Sequence, residues 1–283
     1  PDSRRYRSSM ATPSPAHDVD LLFDQAAQGP RVTIPDGWGQ GRATFGGLVA
    51  GVMVARTLGA FDLDPSHLRS LTTSFVAPVD SGPALIDARL LRRGRSATAV
   101  QVELRQVDEA SGEETVRAAQ SAVFGAPRES QLHIHMAAEP PLLHPDSVAG
   151  VPFLPGLTPD FFAHVELRPT AGQVPFSGAP TGDAAGFIGF RQPPAQMGLP
   201  AFVTLADGWP PAPGQCLSAP AAMSTLTWTL EMLEWPTVAA DHKWSYTVIT
   251  DAAHDGYAHT HARIATAEGD PVAISRQTIA LFG

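Results

Sequence analysis

The chain has 283 residues, 43% of them hydrophobic and 17% charged, with a net charge of -9. That length accommodates two domains of ordinary size, and no apolar run reaches the roughly 18 residues of a membrane span. The acidic balance argues against a nucleic-acid partner, which needs a surplus of Lys and Arg on one face. The local cluster Arg89, Arg92, Arg93 and Arg95 reads as a solvated hairpin face. Cys216 is the only cysteine, so no intrachain disulfide can form and a reducing cytoplasm is the expected location.

Residues 1–17 open with an Arg/Ser-rich stretch lacking the apolar core of a secretory signal, and are set apart as a tag or disordered leader. Ser14 to Gln28 has the apolar spacing of a short helix. Thr33 to Gly41 is turn-rich. Thr44 then suits a helix cap ahead of Phe45 to Leu58, a run that is apolar on almost every side and therefore reads as a buried helix. Glycines inside it cost about 1 kcal/mol each relative to alanine, so another backbone or a ligand is expected to approach closely there.

Strands are predicted at Leu71 to Val76, Ala84 to Leu91, Ala97 to Val107 and Thr115 to Phe124. From Ala126 to Asp160 the prolines Pro140, Pro141, Pro145, Pro152, Pro155 and Pro159 break regular structure, which makes 127–160 a linker between an N-terminal unit, 18–126, and a C-terminal unit, 161–283. The second unit predicts strands at Phe161 to Leu167 and Gly186 to Arg191, a helix at Ala195 to Asp207 stopped by Gly208-Trp209-Pro210-Pro211, and strands at Ser224 to Leu233, Lys243 to Thr250, Tyr257 to Thr266 and Val272 to Leu281. Its last hairpin echoes the last hairpin of the first unit, so the chain reads as a tandem pseudo-dimer with function in the cleft between its halves. In the final strand Val272 and Ile274 lie out of phase with Ile279 and Leu281, which predicts a β-bulge within Ser275-Arg276-Gln277-Thr278.

A buried helix opening on Phe45-Gly46-Gly47, followed by an antiparallel sheet and present twice, resembles the double hot-dog acyl-CoA thioesterases, specifically the bacterial type II acyl-CoA thioesterase-like group. The resemblance covers about Phe23 to Phe282 in element order. It implies an α+β fold of two antiparallel sheets, each wrapped around a central helix, and hydrolysis of acyl-CoA thioesters without metal or cofactor. It further implies an Asp, a Thr or Ser, and a Gln from the second unit as the water-activating set. Matched by position, these are Asp207, Thr225 and Gln277, with Gly46 and Gly47 as the oxyanion-binding helix start.

On their own residues these positions have other readings. Asp207 also suits a helix-end turn, and Thr227 or Ser224 could replace Thr225. Strict alternation would set Thr225 on the face opposite Leu226, Trp228 and Leu230, away from a helix those residues pack on. The pairs His133/His135 and His259/His261 lack a third metal ligand and read as solvent-facing. Two alternatives to hydrolysis are a hot-dog acyl-CoA hydratase or dehydratase, which needs a His–Asp acid/base pair that neither helix supplies, and a non-catalytic binder of acyl-CoA or another hydrophobic ligand. Exposed sheet edges predict a homo-oligomer.

Overall fold

A computed structural model describes residues 18–108 and 111–282; the stretch 1–17 lies outside the described residues. The first half contains α1 (Asp18–Gln28), β1 (Arg31–Ile34), a small hairpin β2 (Gly39–Gln40) and β3 (Ala43–Thr44), α2 (Gly46–Phe61), β4 (Leu68–Phe75), β5 (Gly82–Arg93), β6 (Thr98–Val107) and β7 (Glu114–Phe124). The second contains β8 (Val165–Ala171), β9 (Ala184–Phe190), α3 (Leu199–Ala206), β10 (Met223–Met232), β11 (Trp244–His254), β12 (Tyr257–Ala265) and β13 (Pro271–Leu281). Among the described residues no helix is long and apolar enough to cross a membrane.

The expectation of two separate sheets is corrected. β4 pairs with β10, so all the long strands form one eleven-stranded antiparallel sheet in the order β1-β5-β6-β7-β4-β10-β13-β12-β11-β9-β8. Each half would otherwise leave a central strand with an open ladder, and joining them satisfies both rows of backbone groups. Two further expectations shift. Thr44 does not cap α2: it ends β3, its N–H donates to Val79 O at 2.7 Å, and Phe45 holds the N-cap position without a side-chain bond. The segment Asp160–Ala163 is a 3-10 turn, and the strand begins only at Val165.

α2 is buried from Gly47 to Ala55 and again at Thr57, as its all-round apolar sequence predicts. Its glycines face a helix backbone. A β-carbon on Gly51 would stand 2.7 Å from Pro200 O and collide with Thr204 Oγ1, and one on Gly47 would collide with Thr204 O and the Phe45 ring. α2 and α3 therefore pack antiparallel with their backbones in contact, which only glycine permits.

The repeat is accurate to single inserted residues. β4 carries an extra residue, Arg69, against β7, and β10 carries Leu226 against β13 at the corresponding place. β7 carries Arg117, whose carbonyl accepts from Val76 N at 2.9 Å and Ala77 N at 3.0 Å; β13 carries Val272, whose carbonyl accepts from Leu233 N at 2.9 Å and Glu234 N at 3.3 Å. The pseudo-two-fold axis runs between Thr72 and Thr229, whose hydroxyls meet at 3.2 Å across the β4/β10 seam, and between Gly51 and Thr204. The bulge predicted within Ser275–Thr278 is thus relocated: Ala273, Ser275, Gln277 and Ile279 stay on one face, and the extra residues are Val272 and, on the neighbouring strand, Leu226. The apolar residues on both faces of β13 produced the apparent change of phase.

Gly51→Ala is expected to destabilise the fold by about 2 kcal/mol through overpacking at the helix contact, lowering the calorimetric Tm by roughly 5 °C. Gly29→Ala, where the added carbon meets nothing within 4 Å, is the control; equal melting of the two variants would contradict the helix contact.

Candidate active site

Asp207 follows the last turn of α3 as its C-cap, where Gly208-Trp209-Pro210 ends the helix. Its side chain points into the seam between the halves and the residue is only 8% exposed. Gln277 Nε2 donates to Asp207 Oδ1 at 2.8 Å, and Thr225 Oγ1 donates to Gln277 Oε1 at 3.4 Å. The other carboxylate oxygen, Oδ2, lies 2.8 Å from where a β-carbon on Gly46 would be. Burial pushes the Asp207 carboxyl up to about 7, against the opposing effect of the Gln277 hydrogen bond.

The predicted trio is therefore brought together as a chain: hydroxyl, amide, carboxylate. The bulge resolves which hydroxyl takes part. With Leu226 inserted, Thr225 turns to the same face as Trp228 and Leu230, while Ser224 and Thr227 are exposed. The two glycines differ. Gly46 faces the carboxylate, whereas the missing side chain of Gly47 makes room for Thr204 O and the Phe45 ring. Val49 N makes the first intrahelical bond, to Phe45 O at 3.3 Å, so the N–H groups of Gly46, Gly47 and Leu48 belong to the turn that has no acceptor within the helix.

Three side chains at the site carried no sequence signal of their own. Phe75, the last residue of β4, places its ring edge beside Gly46: the same hypothetical β-carbon would lie 3.0 Å from Phe75 Cζ. Ser275, one step along the inner face of β13 from Gln277, accepts from Trp228 Nε1 at 2.8 Å. Tyr246 is buried, its ring stacked on Trp209 at 5.5 Å between centroids, and burial followed by the Asp207 charge raises its phenol above the ordinary range. The remaining candidates lie elsewhere. Cys216 is exposed, and burial and then the nearby Asp183 push its thiol up, the opposite of an activated nucleophile. His133 and His135 are exposed, and His261 pairs with Asp251 at 2.8 Å.

The pseudo-symmetry also defines a second, equivalent position, and it is blank. The contacts of Gly47 with Thr204 and of Gly51 with Pro200 exchange under the axis, which sets Val54 opposite Asp207. The strand registers set Leu68 opposite Thr225 and Ala122 opposite Gln277. All three are buried and apolar, so among the described residues the chain has one polar site where its architecture offers two.

Comparison with curated protein sequences gives no match. Among solved structures, a conserved hot-dog protein of unknown function from Alicyclobacillus acidocaldarius is 21% identical with a TM-score of 0.78, over 92% of this chain and 98% of that one. An acyl-CoA thioesterase II from Mycobacterium marinum is 23% identical with a TM-score of 0.63, over 85% and 90%. The dehydratase domain of a Mycobacterium tuberculosis protein, solved with an acyl-CoA, is 15% identical with a TM-score of 0.52, over 89% and 92%. Family models match both halves: the acyl-CoA thioesterase N-terminal domain over residues 34–125 and the acyl-CoA thioesterase C-terminal domain over residues 145–281. With both halves matched in order, the chain belongs to the acyl-CoA thioesterase family, on the hot-dog fold that the solved structures share.

Proposed function

We propose that this chain hydrolyses acyl-CoA thioesters by a water activated at Asp207. The observation that carries the reading is the carboxylate itself: desolvated, raised to about 7, and fixed by one amide at the seam of two thioesterase-family halves. A general base works best with a pKa near the operating pH, which an exposed aspartate lacks.

In this reading Gln277, itself held by Thr225, holds Oδ1, leaving Oδ2 to accept a proton from water. The water oxygen attacks the thioester carbonyl carbon, and the oxyanion that forms is met by the free N–H groups at the start of α2, at the positive end of that helix. Glycine at position 46 lets the reacting carbonyl approach that turn. Collapse of the tetrahedral species breaks the C–S bond, and the proton held by Asp207 passes to the departing thiolate. The products are the free acid and coenzyme A, with no change of oxidation state. A dehydratase is less well supported, because neither α2 nor α3 carries a histidine to pair with the aspartate.

Thiol release from a panel of acyl-CoAs is expected to fall about 100-fold or more in kcat for Asp207→Asn and about 10-fold or more for Thr225→Ala and Gln277→Ala, the range typical of general-base catalysis and its positioning groups. Full activity in Asp207→Asn would remove this carboxylate from the mechanism, and absence of release by the wild type would favour a binder. The wild-type rate is expected to rise with pH through a limb near 7 as Asp207 ionises. Because the Gln277 bond favours the carboxylate, Gln277→Ala moves that limb to higher pH.

Stability provides an independent measure. Folding raises this carboxyl from 3.8 to about 7, so the native state loses stability as pH climbs through that window. Above it the full penalty, at most about 4 kcal/mol, applies. Asp207→Asn removes the charge and keeps an acceptor for Gln277 Nε2; it is expected to melt several degrees above wild type at pH 8 and together with it near pH 4. Equal Tm values at both pH values would show that the carboxyl is not desolvated.

A further inference from the structure

We infer that Phe75 determines which acyl groups reach the carboxylate, excluding those branched at the carbon next to the thioester. This rests on the hydrolytic reading of Asp207 and goes beyond it, since Phe75 comes from the other half of the chain and touches none of the trio by hydrogen bond.

The geometry around Gly46 is the basis. A single point, the missing β-carbon of Gly46, lies 2.8 Å from Asp207 Oδ2, 3.0 Å from Phe75 Cζ and 3.1 Å from Phe75 Cε1. The reactive oxygen and the ring edge therefore share the small space above the first turn of α2. The thioester carbonyl must enter that space, because an attacking water bonded to Oδ2 needs the carbonyl carbon about 3 to 3.5 Å away. The carbon attached to that carbonyl then lies against the ring. A methylene passes a ring edge at ordinary van der Waals distance, whereas an added methyl group needs volume that the ring fills.

The position of Phe75 in the fold suits such a role. It is the last residue of β4, half-buried, with the exposed Val76 immediately after it. Backbone position there is fixed, since Val76 N and Ala77 N both donate to Arg117 O. Side-chain freedom is left to two torsions, so the aromatic ring discriminates by shape. Its counterpart across the pseudo-two-fold axis is Met232, a flexible side chain beside the blank position.

The test compares hydrolysis of hexanoyl-CoA and α-methylhexanoyl-CoA by wild type, Phe75→Ala, Phe75→Leu and Phe75→Trp. The ratio of kcat/KM, branched over linear, is expected to rise at least about 10-fold in Phe75→Ala, less in Phe75→Leu, and to fall in Phe75→Trp. General loss of fold lowers both substrates together and leaves the ratio unmoved, so a ratio within about twofold of wild type in Phe75→Ala and Phe75→Leu overturns the assignment. Binding of the corresponding non-hydrolysable thioethers, measured by calorimetry on wild type and Phe75→Ala, separates this idea from the hydrolytic one. A protein that releases no thiol yet binds the branched thioether at least about 10-fold tighter after Phe75→Ala retains the selectivity and loses the hydrolysis; unchanged relative binding rejects Phe75 in either case.

Discussion

The close contact of α2 with α3 is the constraint from which the rest follows. Because Gly47 and Gly51 present no side chains to Thr204 and Pro200, the two helices lie backbone to backbone and antiparallel. That arrangement sets the C-terminal end of α3 against the N-terminal end of α2. A carboxylate at the end of a helix is ordinarily placed badly, since the helix presents partial negative charge there. Here the same point is the positive end of the neighbouring helix, so one location sets a buried carboxylate beside the first backbone N–H groups of α2. Wider helix spacing would separate the two groups and admit water, returning Asp207 toward an ordinary aspartate.

Duplication builds this junction twice, at Gly46 with Asp207 and, by symmetry, at Leu199 with Val54. Only one junction is polar. Desolvating an aspartate is costly, and a second buried carboxylate would incur the cost again within the same core. Filling the equivalent place with Val54, Leu68 and Ala122 turns it into hydrophobic core and leaves α2 and the central strands better anchored. The halves thus share a backbone, down to the inserted residues Arg69 and Leu226, and differ in whether the equivalent place is polar or apolar.

Much of this was legible in the sequence because it depends on local pattern. The all-round apolar character of Phe45 to Leu58, the hairpin echo and the proline-rich interval each reflect periodicity or turn chemistry. The glycines in α2 announced a close backbone approach, although the sequence did not say whose. Asp207 and Gln277 were reached through resemblance. Their burial and their bond were not legible, because a distance between residues 70 positions apart is set by tertiary packing. The phase of Thr225 was misleading for a specific reason: strict alternation holds only in an unbroken ladder, and the inserted Leu226 reverses it. The one-sheet architecture was also hidden, since strand pairing across the two halves leaves no local mark in either Thr-rich strand.

The order of donors in the polar chain gives it direction. A glutamine amide has one accepting and one donating end, and nothing in its shape alone decides which faces a carboxylate. The carboxylate decides it: an ionised carboxylate only accepts, so Nε2 faces Asp207, and the Thr225 hydroxyl, which can donate or accept, completes the chain by donating to Oε1. Reversed, the amide would set oxygen against oxygen and raise the carboxyl still further. Thr225 can make that contact only because the bulge turns it inward, and the bulge is a feature both halves inherited. The irregularity at Arg69 turns the apolar Leu68 into the core, while at Leu226 the same irregularity turns in Thr225, which bonds the Gln277 amide and, through it, the Asp207 carboxylate.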